Sequence, residues 1–229
     1  MTTGGHVDDP PLPRQIGARL RALRTASGRS LASVAQELGI SSSALSQIET
    51  GVMKPSVSRL VELVGVLGVP MSAIFDDVEV VVGRPDDDGA QVAEPFPGVL
   101  VAHGEDTTPA QLEQGVTYRR LSPAPLRGVT WFESTYPPGS SSSADGSMLV
   151  HAGYESGHVV AGELVFEFTD GAVRLGPGGS LSFAATRPHR VVNDTGVVAV
   201  ALWLTVEASP GGAGPAVLPA RNPDAEVKQ

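Results

Sequence analysis

The chain has 229 residues, a formal net charge of −9 and no cysteine, which excludes a disulfide framework and any thiolate metal site. Its length suggests one or two domains at roughly 100–200 residues each. The first 13 residues, MTTGGHVDDPPLP, lack the apolar core of a signal peptide, and VVAVALWLTV at 197–206 is shorter than the about 20 residues a membrane span needs; a soluble, cytoplasmic protein is expected.

Residues 14–75 carry a helical pattern. Ile16, Leu20 and Leu23 recur at spacings of three and four, as one helix face requires. Gly28 ends that run. Ser30 can cap a second helix bearing Leu31, Val34, Ala35 and Leu38, which Gly39 ends. Ser41 can cap a third, with Ala44, Leu45 and Ile48, closed by Gly51. Pro55-Ser56 opens a fourth, with Leu60, Leu63, Val64 and Leu67 on one face. Pro70 starts a short fifth that ends near Phe75. The segment holds seven Lys/Arg residues against three glutamates, a net +4, so the remainder carries −13. Such asymmetry marks a basic module joined to an acidic one.

Residues 76–97 read as a linker, with turn chemistry in GRPDDDGA and AEPFP. From 98 to 207 the pattern is β. GVLVAH, GVTYRRLS, GVTWFESTY, SMLVH, GELVFEF, SLSF and VVAVALWLTV are short, β-branched or aromatic, and separated by turn residues. They predict a sandwich or barrel. Gly139, Gly157 and Gly162 are expected at turns, and Trp131, Phe166, Phe168, Phe183 and Trp203 mostly in the core. The last segment, 208–229, is expected to be a disordered tail.

SLASVAQELGISSSALSQIETG at 30–51 has the layout of a helix-turn-helix, with Gly39 in the tight turn and Leu31, Val34, Ala35, Leu45 and Ile48 facing inward. The third helix then presents Ser42, Ser43, Ser46 and Gln47, side chains able to reach base edges in the major groove. Together with the arginine-rich first helix, KPS and LVGVLGV, this stretch resembles the Cro/C1-type (XRE) DNA-binding domains. The resemblance implies that Ser42, Ser43, Ser46 and Gln47 read bases and that Ser30 and Lys54 contact phosphates. It implies a five-helix all-α domain over 14–75, binding double-stranded DNA at a pseudo-palindromic operator as a homodimer. The other reading is a helical interaction module with a solvated serine face. No Arg or Lys lies on the reading face, so affinity should rest on phosphates and dimerisation.

Residues 98–207 resemble the cupin family, an all-β double-stranded β-helix, or jelly-roll. The resemblance rests on Leu149-Val150-His151, Glu155 and Gly162, and on Gly171, Pro177, Gly179, Pro188, His189 and Asn193. Leu149 stands where the family carries a histidine. Barrel strands point alternate side chains inward, so the resemblance implies that His151, Glu155 and His189 converge on one interior point. Two imidazoles and a carboxylate suit Fe(II), with Zn(II) or Mn(II) as alternatives. Spacing alone leaves two readings open: a bound ion, or hydrogen bonds across a hairpin with His189 half-buried. Tyr118, Arg120, Trp131 and Tyr154 are the candidate ligand-pocket residues; His158 is taken as a pocket or surface residue.

An XRE domain followed by a cupin is an arrangement of bacterial transcription regulators. The resemblance therefore implies a DNA-binding regulator, not an enzyme, whose cupin senses a small molecule, with or without a metal. The alternative is a mononuclear non-haem iron cupin oxygenase or epoxidase carrying a helix-turn-helix domain. That would need cationic groups for an anionic substrate and a tyrosine near the metal, for which Tyr118, Arg119, Arg120 and Tyr154 are the candidates.

Overall fold

The computed structural model describes residues 12–69, 71–74, 93–103, 109–124, 126 and 128–207. Four α-helices come first: α1 (Leu12–Ala26), α2 (Leu31–Glu37), α3 (Ser42–Glu49) and α4 (Val57–Leu67). Ser30, Ser41 and Ser56 cap α2, α3 and α4. Each hydroxyl accepts the backbone N–H three residues on, at 3.1, 3.1 and 3.2 Å, and so satisfies a donor that a helix start leaves open. Gly39, at φ +66°, makes the turn from α2 to α3. The fifth helix expected after Pro70 is instead one 3-10 turn, Met71–Ile74. Four residues are too few to offset the cost of nucleating an α-helix. The Ala73 carbonyl is also engaged by Arg19 Nε at 2.7 Å.

The helices share one core of Ile16, Leu20, Val34, Leu45, Ile48 and Leu60. Helix α1 crosses α3 at Gly17, where a Cβ would lie 2.4 Å from the Ile48 carbonyl oxygen. Close by, Arg24 grips Glu49 with two parallel bonds, Nε–Oε1 2.6 Å and Nη2–Oε2 2.9 Å. The Glu49 side chain is 5% exposed. The hydrogen bond to Glu49 raises the Arg24 pKa against a smaller opposing effect of burial. The pair ties the first helix to the third.

Eleven strands follow among the described residues: β1 (Ala93–Phe96), β2 (Val99–Val101), β3 (Ala110–Gln111), β4 (Thr117–Arg120), β5 (Val129–Tyr136), β6 (Tyr154–Ala161), β7 (Leu164–Phe168), β8 (Gly171–Leu175), β9 (Ser180–Ala184), β10 (His189–Val192) and β11 (Ala199–Val206). A six-stranded sheet runs β3-β4-β5-β11-β6-β9, a three-stranded sheet runs β10-β7-β8, and β1 pairs with β2. Every named pairing is antiparallel. Phe166 of the smaller sheet lies 5.8 Å from the Trp203 ring of the larger one, and Phe168 lies 5.2 Å from Phe183. These aromatics are the core between the sheets.

Three expectations change here. The AEPFP stretch, read as linker, is the first strand of a hairpin: Pro97-Gly98 turns the chain, with Gly98 at φ +79°, and β2 pairs back. Residues 76–92 of the expected linker and the expected tail at 208–229 lie outside the described residues. SMLVH is not a strand. Leu149 and His189 exchange both backbone bonds (2.7 and 3.0 Å), but the next donor, His151 N, turns to the Ala185 carbonyl instead, so the ladder stops at one bridge. Trp131 is not core. Along β5 the inward residues are Thr130, Phe132, Ser134 and Tyr136, and Trp131 points out at 43% exposure.

Gly157 was expected in a turn and sits inside β6, where a Cβ would meet the Trp203 ring at 3.1 Å. Gly162, at φ +67°, does make the turn between β6 and β7.

The helices and the sheets touch. The Ser58 N–H, at the start of α4, donates to the Ser142 carbonyl at 3.0 Å, and Glu113 N–H donates to the Pro55 carbonyl at 3.0 Å. One orphan donor of the helix start is thus satisfied by the β domain.

Removing one member of a buried ion pair strands the other, at about 3 kcal/mol. Glu49→Ala should therefore lower the stability of the helical domain by about 3 kcal/mol in urea denaturation followed by helical circular dichroism. A loss under about 1 kcal/mol, the value of an exposed pair, would mean that Arg24–Glu49 does not hold α1 to α3.

Candidate functional site

Two surfaces carry chemistry. The first is the outer face of α3. Leu45 and Ile48 anchor the helix at 0% and 3% exposure. Ser42, Ser43 and Gln47 are exposed and Ser46 is half-buried, so the helical period puts all four on the face away from the core. Ser30 is exposed beside it, its oxygen already accepting from Ser33 N–H. Lys54 is exposed and donates to Gln111 Oε1 of β3 at 2.8 Å.

The local charge is less available than its total suggests. Arg24 pairs with Glu49, Arg29 with Glu37 and Arg59 with Glu62. These guanidiniums brace the fold: Arg29 also donates to the Val66 carbonyl at 2.6 Å, and Arg59 to the Leu38 carbonyl at 3.3 Å. Beside α3, Val52 and Met53 are 76% and 41% exposed. Sequence reasoning passed over both, although exposed apolar side chains next to a reading helix are suited to thymine methyl groups.

The second site lies inside the β domain. His151 precedes β6, Glu155 is its second residue, and His189 opens β10 on the other sheet. The ligand atoms of all three lie within 4.8 Å of one another. His151 Nε2 is 2.9 Å from Glu155 Oε1, and His189 Nε2 is 3.6 Å from Glu155 Oε2. His151 Nδ1 lies 3.1 Å from the Ala152 carbonyl oxygen and His189 Nδ1 lies 2.8 Å from the Arg187 carbonyl oxygen. A carbonyl only accepts, so each Nδ1 carries a proton, and each Nε2, once deprotonated, can offer its lone pair to the shared point. Neighbouring ligands on one ion, with bonds of about 2.1 Å, stand roughly 3.0–3.6 Å apart. The donor types and the two distances to Glu155 fit a divalent metal, and with the histidines drawn slightly together these three residues could hold one. A metal held there would supply a Lewis-acidic coordination point for a ligand oxygen or nitrogen.

The two histidines titrate differently. Burial pulls the His151 pKa down, but hydrogen bonding and charge from Glu155, with the Ala152 carbonyl, outweigh it, and the net shift is upward. Burial pulls His189 down, and its neighbours do not reverse that. Asn193, the last residue of the cupin pattern, is not a ligand. It is fully buried, and its amide donates to the Tyr136, Pro137 and Val197 carbonyls at 2.9, 3.2 and 2.7 Å. It pins the loop after β10 to the end of β5.

The triad opens into a cavity of about 390 Å³. Of the four expected pocket residues, only Tyr118 lines it; Arg120, Trp131 and Tyr154 do not. Strand alternation explains the miss for Trp131 and Tyr154, whose strand neighbours Thr130, Phe132 and Glu155 line the cavity; Arg120 has the parity of Tyr118 in β4 and pairs with Phe132, yet is not part of the lining. His158 also lies elsewhere, on the exposed side of β6, with Nδ1 2.7 Å from Ser180 Oγ. Tyr118 and Tyr136 stand with hydroxyls 3.4 Å apart in the wall. Burial, helped by the charge of Glu155, raises both phenol pKa values, so both stay protonated as hydrogen-bond donors. Among the described residues, the charged members of the lining besides the histidines are Glu155 and Glu207, and no lysine or arginine lines it.

Sequence reasoning missed part of this wall entirely. Val57, Val61, Val64 and Gly65 of α4 line the same cavity. A signal was present: α4, VSRLVELVGVL, is apolar on two sides, and such a helix is buried on both.

Metal binding needs both imidazoles neutral and the carboxylate ionised. Because His151 keeps its proton to a pH above the ordinary histidine value of about 6.5, it is the group from which the metal must displace a proton. Zinc affinity of the full chain, followed by titration calorimetry, should therefore be constant above that range and fall about tenfold per unit as pH drops through it. His151→Ala and His189→Ala should each abolish stoichiometric zinc uptake. Uptake unchanged in both variants would remove the triad as a metal site.

Comparison with known proteins bears on both halves. Residues 15–73 match the family model described as a helix-turn-helix domain, and residues 132–205 match that of the cupin domain. The HTH-type transcriptional regulators PuuR of Escherichia coli and of Shigella flexneri are each 29% identical to the chain over 178 residues, which span 77% of it and 86% of the relative. Among solved structures, an HTH_3 family transcriptional regulator from Vibrio cholerae superposes with a TM-score of 0.58 at 22% identity, over 86% of this chain and 98% of the other, so the likeness in fold extends over both halves. The chain therefore joins a segment that matches the helix-turn-helix domain to one that matches the cupin domain, and over most of its length it is similar to regulators of that layout.

Proposed function

We propose that the protein is a sequence-specific transcriptional regulator that binds DNA through α3 and senses a small molecule in its cupin cavity. The 14–75 segment is the DNA-binding unit, and 98–207 is the sensing and dimerisation unit. The observation that carries the reading is the exposed polar face of Ser42, Ser43, Ser46 and Gln47 on a helix held rigidly from behind by Leu45 and Ile48. Gln47 suits adenine and the serines tolerate several bases. In this reading Ser30, at the start of α2, and Lys54, shortly after α3, contact phosphates, Lys54 after leaving Gln111.

One such domain offers a small interface, so a homodimer on a pseudo-palindromic operator, with recognition helices about 34 Å apart, is the arrangement we infer. The cupin supplies the regulatory half: His151, Glu155 and His189 bind Fe(II), Zn(II) or Mn(II), or hold the effector directly. An effector shifts the DNA-binding equilibrium only by its difference in affinity for the two states. The PuuR relatives, transcriptional regulators by name, support this reading over an enzyme. So does the lining, which among the described residues has no lysine or arginine to hold an anionic substrate. Among the described residues no helix is long and apolar enough to cross a membrane.

Binding of the full-length protein to its own promoter region, measured by fluorescence anisotropy, tests this. Gln47→Ala with Ser43→Ala should weaken specific binding by roughly tenfold to a hundredfold, on the scale of one to two lost base contacts, while non-specific binding at low salt persists. Lys54→Ala should weaken all sequences alike and reduce the salt dependence by about one counterion. Unchanged promoter binding in the double variant, or no DNA binding at low salt in the parent, would falsify the proposal. His151→Ala with His189→Ala should keep promoter affinity within about threefold and lose any metal-dependent change in it.

A further inference from the structure

The cavity has two walls from two domains. On one side it is built by the barrel: the triad, Tyr118, Phe132 and Trp203. On the other it is built by α4, through Val57, Val61, Val64, Gly65 and Gly68. The opposite side of α4 holds the helical core, with Leu60 and Leu63 buried at 0% and 1%. One helix thus separates the cavity from the packing behind the DNA-reading helix.

The two ends of α4 are held differently. Its start is pinned to the barrel by Ser58 N–H on the Ser142 carbonyl and by Glu113 N–H on the Pro55 carbonyl. Ser142 is in turn paired with Val191, N–H to carbonyl at 2.9 Å, and its hydroxyl accepts Val191 N–H at 3.1 Å. Val191 is two residues beyond His189 and lines the cavity. Toward its other end α4 faces open space: a Cβ at Gly65 or at Gly68 would meet nothing within 4 Å. That end is instead tied to the helix-turn-helix. Arg29, just before α2, donates to the Val66 carbonyl there; Arg59, beside Ser58 at the pinned start of α4, donates to the Leu38 carbonyl at the end of α2.

We propose that the effector site is composite, with α4 as its second wall and as the element that carries occupancy to the DNA-reading helices. The proposal rests on the regulator reading above and deepens it. The occupant is a small amphipathic molecule: its polar end meets the His151, Glu155 and His189 triad, and its apolar flank lies on the α4 valines. Since no lysine or arginine among the described residues lines the cavity, an anionic head has its partners in a metal held by the triad and in the Tyr118 and Tyr136 hydroxyls. Filling the cavity pushes the Gly65–Gly68 end of α4 away from the barrel while the Ser58 end stays pinned. Arg29, bonded to Val66 near the moving end, transmits that pivot to α2 and so to α3, while Arg59 holds the pinned start of α4 to α2.

The test fills the cavity covalently, from each wall in turn, in the full chain. Thr130→Phe places a phenyl group from β5, where Thr130 lines the cavity and is 6% exposed; Gly65→Leu fills it from α4. Methyl NMR of the valines and promoter affinity are read for each variant and for the pair, with circular dichroism as the check on folding. Thr130→Phe should move the methyl signals of Val61, Val64 and Val69, leave those of exposed Val52 in place, and change promoter affinity by about tenfold. The double variant should change affinity by less than the product of the two single changes, because both substitutions claim the same space. Gly65→Leu alone serves where Thr130→Phe does not fold, with a shift in the same valines.

Folded variants whose α4 methyl signals do not move overturn the composite site, whether or not DNA binds. Moved signals with unchanged promoter affinity overturn the coupling. Moved signals in a protein whose parent binds no DNA leave the composite cavity standing and remove the regulator reading instead.

Discussion

The rest of the structure depends on the double burial of α4. A helix apolar on one side needs one partner; a helix apolar on two needs two. Leu60 and Leu63 bury one side among α1, α2 and α3, while Val57 and Val64 bury the other over the barrel. At roughly 1.5–3 kcal/mol for each fully buried aliphatic side chain, neither face can be left in water without a large loss. The two domains therefore meet at a shared helix, and the backbone bonds of Ser58 and Glu113 set where along the barrel they meet.

The interior site is arranged from its surroundings inward. Each imidazole is oriented by a backbone carbonyl on Nδ1, which leaves Nε2 facing Glu155. Asn193 and Ser142 hold the loops on either side of β10, so His189 is fixed by backbone geometry rather than by contact with a ligand. The helical domain uses the same economy. Arg24, Arg29 and Arg59 are spent on internal ion pairs and carbonyls, and the outer face of α3 is left to short polar side chains.

Much of the helical domain was legible because its signals are local. A serine at each helix start and a glycine at positive φ act within a few residues, and Ser30, Ser41, Ser56 and Gly39 perform those tasks. The triad was legible through its resemblance to a known pattern and the inward alternation of strands. The fifth helix was overread, because periodicity does not report whether a short segment can sustain an α-helix. SMLVH and Trp131 were misread for another reason. A β-strand is made by its partner, and neither the change of partner at His151 nor the outward face of β5 is written in the residues themselves.

By itself, then, the sequence determined the order of the helices, their caps, the polar face of α3 and the identity of three residues that can meet around an ion. These depend on spacings of three to seven residues or on a shared pattern. Tertiary structure alone decided which neighbours of those residues face the cavity, that Asn193 is a fastener and not a ligand, and that α4 closes the barrel. Each of these depends on contacts between segments up to about a hundred residues apart in the chain, such as Ser58 with Ser142. Contacts at that separation form only when the whole chain has packed, because the hydrophobic pattern says that a face must be buried but not against what.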